Sequence, residues 1–515
     1  MLKLFKAVFI ITGFTLVDRI LGFGFRVFLS RSLTDADFGI YQVALSTFFV
    51  LLTFTTSGIP LIVSKLTAIA RKGNDKKTEG ALVSAALICG LVVSSVIVAI
   101  FFIFQNQIGG IFASRDSMNL LLLMLPAIIF SGVYSSFRGN LWGQKKYITV
   151  SVIELIEQVT RIGLVMLLAL MGFNLLTVSA VSMSAALAVT ALCCIACFFK
   201  GKGRLKNPKP MLVPFIKQAA PITMIRASNT LVMGLVGITV PWLLTRTGLS
   251  ATESLAVYAQ SVGMALPLLF LPLTVVGSLA YVLVPNLAGS YAANDSKAVK
   301  KQIETAITFS LVVASIFVPV FMALGEPIGI LIYANAYAGR FLAISAWLLI
   351  PIAAESIISS MMNSLNLERS SFINYLIGAA AMFALMFSFG TYFRIEVLSF
   401  GLGLAWTVST VLDIVAIKKR TSIKVSAFAV PLAKCVALIV PAMFVTMWLY
   451  RLLGGVPSAL ALIIAAGAGV IFFVGLSAVF GVLEFNMIIK SFFKSEHIDS
   501  KNRMQKRGFK LNKRV

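Results

Sequence analysis

The sequence predicts an all-α polytopic membrane protein of about fourteen transmembrane helices. Two six-helix bundles in a parallel pseudo-two-fold repeat are followed by two additional helices. Three observations predict it. The 515 residues are 59% hydrophobic and only 12% charged, about half the charge of a soluble chain. The apolar residues come in runs of 20 or more, long enough to cross a hydrocarbon core of about 30 Å. They do not alternate in polarity as barrel strands would, and an open sheet would leave its backbone unsatisfied in lipid. Finally, most cations fall in every second loop and in the C-terminal segment, the positive-inside pattern.

The expected spans lie near 5–29, 38–66, 81–104, 117–141, 150–171, 177–199, 214–245, 253–288, 302–323, 341–365, 370–391, 397–417, 427–450 and 456–480. The basic loops RKGNDKK (71–77), GQKKY (143–147), KGKGRLKNPK (200–209), SKAVKK (296–301) and IKKRTSIK (417–424) mark the cytoplasmic side, as does KNRMQKRGFKLNKR (501–514). The intervening loops hold mostly single cations, among them Arg31, Arg115, Arg246, Arg340 and Arg451. An even number of spans puts both termini in the cytoplasm. The expected organisation is an N-terminal bundle over 1–199, a basic cytoplasmic linker over 200–213, and a C-terminal bundle over 214–420. Two further helices follow over 427–480, then a basic tail over 481–515 that meets anionic lipid or stays solvated.

The halves resemble each other. Residues 122–156 match 348–379 without gaps when Pro126 is set on Pro351, which places Gln144 on Arg369. Residues 57–77 parallel 278–301, pairing Asn74-Asp75 with Asn294-Asp295. A repeat of six spans keeps both copies in one orientation, related by an axis along the membrane normal. Two like bundles of this kind are a transporter plan.

Charges inside the spans carry the functional reading. A cation at mid-bilayer costs roughly 2.5–3.5 kcal/mol on insertion scales, so it lines a polar cavity or meets an acid. Arg19 and Arg26 stand seven residues apart in the first span and share a helix face. Asp18 points about 100° away from Arg19, and Gly22 and Gly24 allow close packing or bending between the cations. Asp37 opens the second span as a cap or dipole residue. Lys65 sits near that span's cytoplasmic end, where it snorkels or faces cargo. In the fifth span Glu154, Glu157 and Arg161 lie on one face, with Glu157 and Arg161 in the favourable i, i+4 order. They read as an ion-pair ladder between helices or, together with Asp18 and Asp37, as the candidate coupling or gating set. Arg138 is expected near the inner surface, against lipid headgroups. Arg226 lies about 18 Å along the seventh span from Pro214, near mid-membrane on the opposite bundle, with Asn229 one turn on. Arg19, Arg26, Lys65, Arg226 and Asn229 are the candidate substrate-binding set.

Other classes are excluded on motif grounds. The net charge of +25 is placed for topology, not for nucleic acid. Cys89, Cys193, Cys194, Cys197 and Cys435 lie in apolar spans with no His or acid alongside, so they read as small core residues and no metal is expected. The single histidine, His497, lies in the polar tail. No cleavable signal is evident after the long first span. There is no GxxxxGK[ST], HExxH or GxSxG motif and no large soluble domain, so neither ATP hydrolysis nor other catalysis, nor any cofactor, is expected.

The segments RILGFGFRVFLSRSL (19–33), FGIYQ (38–42), SGIPLIVSKLTA (57–68), SSFRGNLWGQ (135–144), IELIEQVTRI (153–162) and LVPNLAGSYAANDSKAVKK (283–301) resemble a known family. It is the polysaccharide-transporter branch of the multidrug/oligosaccharidyl-lipid/polysaccharide (MOP) exporter superfamily, with MATE-like architecture. The resemblance is to the stage V sporulation protein B group, relatives of the MurJ-type lipid II flippases. It implies a V-shaped cavity opening alternately to either side, and outward movement of a lipid-linked oligosaccharide across the bacterial cytoplasmic membrane. It also implies cations from the first, second and eighth helices facing a pyrophosphate. Arg19 and Arg26 match the first-helix cations and Lys65 the second. The eighth span has none, and Arg226 of the seventh is the expected substitute. The expected activity is flipping of an undecaprenyl-pyrophosphate-linked polysaccharide or peptidoglycan precursor by a monomer, with anionic lipids and a coupling ion as further partners. The alternatives are an ion-coupled multidrug exporter of the MATE type, which needs acids such as Asp18, and a membrane enzyme or scaffold of envelope synthesis.

Overall fold

In hydrocarbon a spanning backbone must bond within its own segment, and every regular element among the described residues is helical. The structure is a computed structural model that describes residues 2–73, 75–421 and 426–482, with side chains throughout except at 2–12, 225, 229, 278, 280–282 and 285. Asn74, His497 and the basic segment 501–514 lie outside the described residues. Eleven helical segments there are long and apolar enough to cross a membrane. The three expected spans without such a segment lie at 5–29, 150–171 and 253–288. The second of these carries Glu154, Glu157 and Arg161. Contacts divide the chain into two units, Met1–Met264 with Phe389–Ile395, and Ala265–Ser388 with Glu396–Val515.

The first unit contains α1 (Leu2–Ser32), α2 (Asp35–Thr56), α3 (Gly58–Lys72), α4 (Lys76–Ile103), α5 (Gln105–Gly109), α6 (Arg115–Met124), α7 (Pro126–Gly143), α8 (Tyr147–Leu170), α9 (Leu175–Lys200), α10 (Lys209–Arg246), α11 (Ala251–Tyr258) and most of a π-helical turn (Ala259–Ala265). Two expected spans are helix pairs. The 38–66 span breaks at Ser57 between α2 and α3, because Pro60 has no N–H for the carbonyl of Thr56 and its ring crowds that oxygen. The 117–141 span breaks at Leu125, and Pro126 starts α7 where a missing N–H costs nothing. α4 and α7 approach so closely that a Cβ on Gly90 would lie 2.7 Å from the carbonyl oxygen of Gly132, the small-residue contact that membrane helices use. An apolar cluster of Val83, Tyr134, Phe137, Leu141, Ile153, Cys194 and Phe198 fills the space between α4, α7, α8 and α9.

α10 belongs to this unit. It packs on α2, α3 and α4, and a Cβ on Gly58 would come within 2.6 Å of the Ala219 carbonyl oxygen. The contact division thus falls at Met264, not at the 200–213 linker where the sequence expected the bundles to part. Small residues on facing helices let α10 close onto α2 and α3, a contact that linker composition does not reveal.

The second unit contains α12 (Leu266–Leu269), α13 (Leu273–Ala292), α14 (Ser296–Tyr333), α15 (Ala336–Ser345), a 3₁₀ turn (Ala346–Leu348), α16 (Leu349–Ser364), α17 (Glu368–Phe393, its last residues counted with the first unit), α18 (Glu396–Thr421), α19 (Ser426–Leu452) and α20 (Ser458–Val479). The 253–288 span is therefore not one helix but α11, the π turn, α12 and α13. α14 packs on α13, α15, α16, α19 and α20.

The internal repeat is visible in the caps. Ser114 and Asn335 cap α6 and α15. Lys145 (φ 60°) and Asn366 (φ 58°) are left-handed after α7 and α16. In each case the next amide bonds five residues back, Lys146 to Leu141 and Leu367 to Met362. These features, and the starts of α8 and α17, share one spacing, under which Pro126 falls on Trp347 and not on Pro351. The gapless proline pairing is thus one helical turn out of register. A proline fits anywhere in a helix's first turn, whereas caps and left-handed residues mark single positions. The parallel of 57–77 with 278–301 holds at its cap: Asp75 and Asp295 precede α4 and α14, each accepting backbone N–H groups. Bonds from the Thr78 hydroxyl and amide hold the Asp75 carboxyl below the usual range, so this cap stays charged at neutral pH.

Gly132→Leu should lower stability by about 1–3 kcal/mol through overpacking of α4 on α7. Gly163→Ala, where no neighbour lies within 4 Å, should be neutral or slightly stabilising. Thermal unfolding of the purified protein in detergent checks both.

Candidate functional site

The in-span charges of the first unit separate into a neutralised group and an exposed group. The neutralised group sits where α8 faces α1, α7 and α9. Glu154 accepts from the Arg138 guanidinium and from the Tyr134 hydroxyl at 3.1 Å. Arg138 also lies over the Trp142 ring, 4.2 Å from its centroid, and near the Tyr134 ring at 5.4 Å. A guanidinium with an ion pair and two aromatic faces is pinned, so the expected headgroup contact of Arg138 gives way to a role inside the helix packing.

The Glu157–Arg161 pair does not form: no N···O approach within 4.0 Å joins them. Glu157 accepts from Thr190 of α9 at 3.4 Å. Arg161 donates to Gln158 at 2.6 Å, and its guanidinium lies 5.4 Å from the Phe25 ring centroid on α1. The ladder runs between helices instead, with Glu154 turned to α7. Asp18 on α1 lies within the electrostatic reach of Arg161 and Glu154. Of the expected coupling or gating set, Asp18, Glu154, Glu157 and Arg161 come together. Asp37 does not: its amide donates to Thr34 Oγ1 at 3.1 Å, and its carboxylate accepts from that hydroxyl at 2.7 Å. Thr34 is the cap, and Asp37 is a first-turn acid beside the helix dipole.

Arg26 is half-buried and donates from Nη1 to the carbonyl oxygen of Gly263, 3.3 Å away in the π-helical turn. A π turn shifts carbonyls off the α pattern, and Arg26 meets one of them, tying α1 to that turn. Arg19, Lys65 and Arg226 are different. They are exposed on α1, α3 and α10, and no described carboxylate oxygen lies within 4.0 Å of any of them. Arg226 is near the midpoint of the 38-residue α10, and through α10 it belongs to the same unit as Arg19 and Lys65, not to the opposite one as expected. No described contact joins these three cations to one another. The side chain of Asn229 lies outside the described residues.

Sequence reasoning missed two polar clusters. On the first unit, Glu79 accepts from Arg71 at 3.0 Å, Asn140 at 2.9 Å and Gln144 at 3.1 Å, clamping α3, α4 and α7. Its sequence signal is a lone acid after the basic loop 71–77. On the second unit, Asp413 of α18 accepts from Asn374 at 2.7 Å and Ser371 at 2.9 Å on α17. Glu355 of α16 feels the Asp413 charge, and Tyr375 feels that of Glu355. Both acids lie inside expected apolar spans, and that was the available signal. In the register set by the caps, Tyr134 and Glu154 of the first unit correspond to Glu355 and Tyr375 of the second. The phenol and the carboxylate have changed places. No group of three or more His, Cys, Asp or Glu side chains among the described residues is arranged to hold a metal.

Glu154→Gln should destabilise the protein by about 1–3 kcal/mol, because Arg138 would keep its charge without its counterion in a largely dehydrated site. Combining it with Arg138→Met should recover part of the loss. A double-mutant cycle of thermal stabilities reads the coupling.

Residues 4–289 match the family described as Polysaccharide biosynthesis protein. The chain is similar to "Stage V sporulation protein B" of Bacillus subtilis (strain 168), 25% identical over 402 residues that cover 75% of this chain and 77% of the relative. Several solved structures share its fold, two of them as follows. "Lipid II flippase MurJ, inward closed conformation" has a TM-score of 0.69 at 14% identity, covering 91% of this chain and 98% of that one. An inward-facing multidrug resistance MATE family transporter of the MOP superfamily has a TM-score of 0.67 at 13% identity, covering 79% and 94%. With more than half its length matched, the chain belongs to the polysaccharide biosynthesis protein family.

Proposed function

We propose that the protein is a flippase that exports a lipid-linked oligosaccharide or peptidoglycan precursor of the undecaprenyl-pyrophosphate type across the cytoplasmic membrane by alternating access. The observation that carries this reading is the sorting of charge in the first unit. Glu154 is neutralised by Arg138 and Tyr134, whereas Arg19, Lys65 and Arg226 are exposed, with no described carboxylate oxygen within 4.0 Å of their charged groups. Such a unit favours an anion. A pyrophosphate cannot cross hydrocarbon alone, and guanidinium groups offer it bidentate, charge-assisted hydrogen bonds. Arg19, Arg226 and Lys65 are the proposed phosphate ligands. Arg26 is placed beside them on α1 and is partly engaged by Gly263. Asp18, Glu157 and Arg161 are proposed to couple or gate the cycle. The family's description as polysaccharide biosynthesis protein and the likeness to a structure named as a lipid II flippase support this cargo class. The basic loops support an orientation with both termini in the cytoplasm.

A second reading, an ion-coupled exporter of cationic drugs, is favoured by Asp18 on α1, a half-buried acid, and by the MATE likeness. Two assays separate the readings. In reconstituted vesicles holding a panel of lipid-linked sugars, exposure of the sugar on the far leaflet reports flipping. In a drug-sensitive host, efflux reports the alternative.

Arg19→Ala and Arg226→Ala should each weaken cargo binding by about 10–100-fold, since a hydrogen bond to a charged group is worth about 1.5–3 kcal/mol. Both variants should melt like the parent protein. Arg→Lys at either position should restore only part of the activity, because the bidentate fork is lost. Full flipping by both alanine variants would sink the phosphate-ligand assignment.

A further inference from the structure

The second unit carries a cavity that the transport reading does not use. It lies where α14 begins, α19 begins and α20 ends, and measures about 550 Å³. Its cationic wall is Lys297, Lys300 and Lys301 of α14 with Lys434 of α19. Lys297 and Lys301 are one turn apart on the same helix face. Lys300 is held by Glu304 at 3.8 Å, the single acid in the lining. Lys434 reaches across to donate to the carbonyl oxygen of Phe480 at 3.2 Å, at the end of α20. Four ammonium groups thus face one carboxylate at the positive end of a helix dipole. The hydroxyl residues Thr305 and Thr308 follow on α14, and the rest of the wall is apolar, including Phe309, Val312 and Val430.

The placement fits an amphiphile. α14 has 38 residues, about 57 Å at 1.5 Å per residue, far more than the hydrocarbon thickness of about 30 Å. Its lysine-bearing first turns stand at headgroup level, and Phe309 and Val312 lie two to four turns deeper. The chain's own C-terminal segment is a poor occupant: residues 483–515 carry nine Lys and Arg against three Asp and Glu.

We propose that this cavity binds an anionic phospholipid. Lys297, Lys301 and Lys434 hold its phosphate, and an acyl chain lies along Phe309, Val312 and Val430. Basic recesses between membrane helices on the cytoplasmic side suit such headgroups. The site is independent of the phosphate ligands proposed on the first unit.

The test titrates the purified full-length protein in detergent with dioleoyl phosphatidylglycerol and counts retained lipid by native mass spectrometry. Parallel titrations use dioleoyl phosphatidylcholine, and phosphatidylglycerol with inorganic phosphate as competitor. Phosphatidylglycerol should be retained in preference to phosphatidylcholine, and phosphate should not displace it. Each lysine neutralised should weaken retention about fivefold, so Lys297→Gln/Lys301→Gln/Lys434→Gln should lose about 100-fold. A control triple on the first unit, Lys72→Gln/Lys76→Gln/Lys77→Gln, should change nothing. If loss of Lys434 impairs folding, the Lys297→Gln/Lys301→Gln pair carries the test, with a loss of about 25-fold. Unchanged retention by the cavity variants overturns the proposal. So does an equal loss in the control triple, which marks general surface charge, or displacement by phosphate, which marks a free-phosphate site.

Discussion

A charge inside a bilayer must find a partner in the protein or a path to water, and this rule shapes the first unit more than any single helix contact. Burying a carboxylate and a guanidinium together costs several kcal/mol of desolvation per ion, recovered only when geometry and extra hydrogen bonds are good. Arg138 and Glu154 meet most of that condition, although the buried Arg138 Nε has no hydrogen-bond partner. The pair joins α7 to α8, the Tyr134 hydroxyl supplies a further donor, and two aromatic rings cover the guanidinium. Arg161 follows the same logic with softer partners, an amide oxygen and an aromatic face. With these groups spoken for, the exposure of Arg19, Lys65 and Arg226 stands out as the unit's surplus of positive charge.

Close backbone approach is the second constraint. Lipid tails are as apolar as leucine, so helices gain little from hydrophobic contact alone and depend on packing of small residues. Gly90 against Gly132 sets α4 on α7, and Gly325 against Gly339 sets α14 on α15, where an added Cβ would lie 2.7 Å from the facing carbonyl oxygen. Counted from the aligned caps, Gly90 and Gly132 fall on Ser310 and Ala353, where the Ser310 hydroxyl donates to the Ala353 carbonyl oxygen at 2.9 Å, while the Gly325–Gly339 contact stands at other positions. The two units share a helical plan and its caps while differing in how individual helices are sealed together. The exchange of Tyr134–Glu154 for Glu355–Tyr375 shows the same freedom in the polar interior. In the first unit the phenol donates to the carboxylate at 3.1 Å; in the second the two groups lie within electrostatic reach of each other.

Much of the candidate site was legible because depth in a span is a sequence property. Asp18, Arg19, Glu154, Glu157, Arg161 and Arg226 are conspicuous as charges within apolar runs. Their pairing was not legible. Glu157 and Arg161 have helical spacing suited to a pair, yet the side chains turn to Thr190 on α9 and to Gln158 and Phe25. Spacing allows an intrahelical contact but cannot weigh it against partners from other helices. Glu79 escaped notice because it follows a basic loop and reads as solvated, whereas Asn140 and Gln144 reach it only after α7 folds over α4. The register of the repeat failed for a related reason: prolines looked like fixed landmarks, but the turn residues Lys145 and Asn366 are what the backbone holds constant.

By itself the sequence determined the helical class, the approximate places of most spans and the family. The class and the spans follow from local composition, because hydrocarbon selects apolar runs; the family follows from the resemblance of motifs spread along the chain. Tertiary structure alone decided that α10 joins the first unit, that Arg138 is a packing residue, that Arg26 answers a displaced carbonyl in the π turn, and that four lysines from two helices share one cavity. Each of these depends on which faces of distant helices meet, and that is settled by small-residue contacts and charge neutralisation summed over the whole fold.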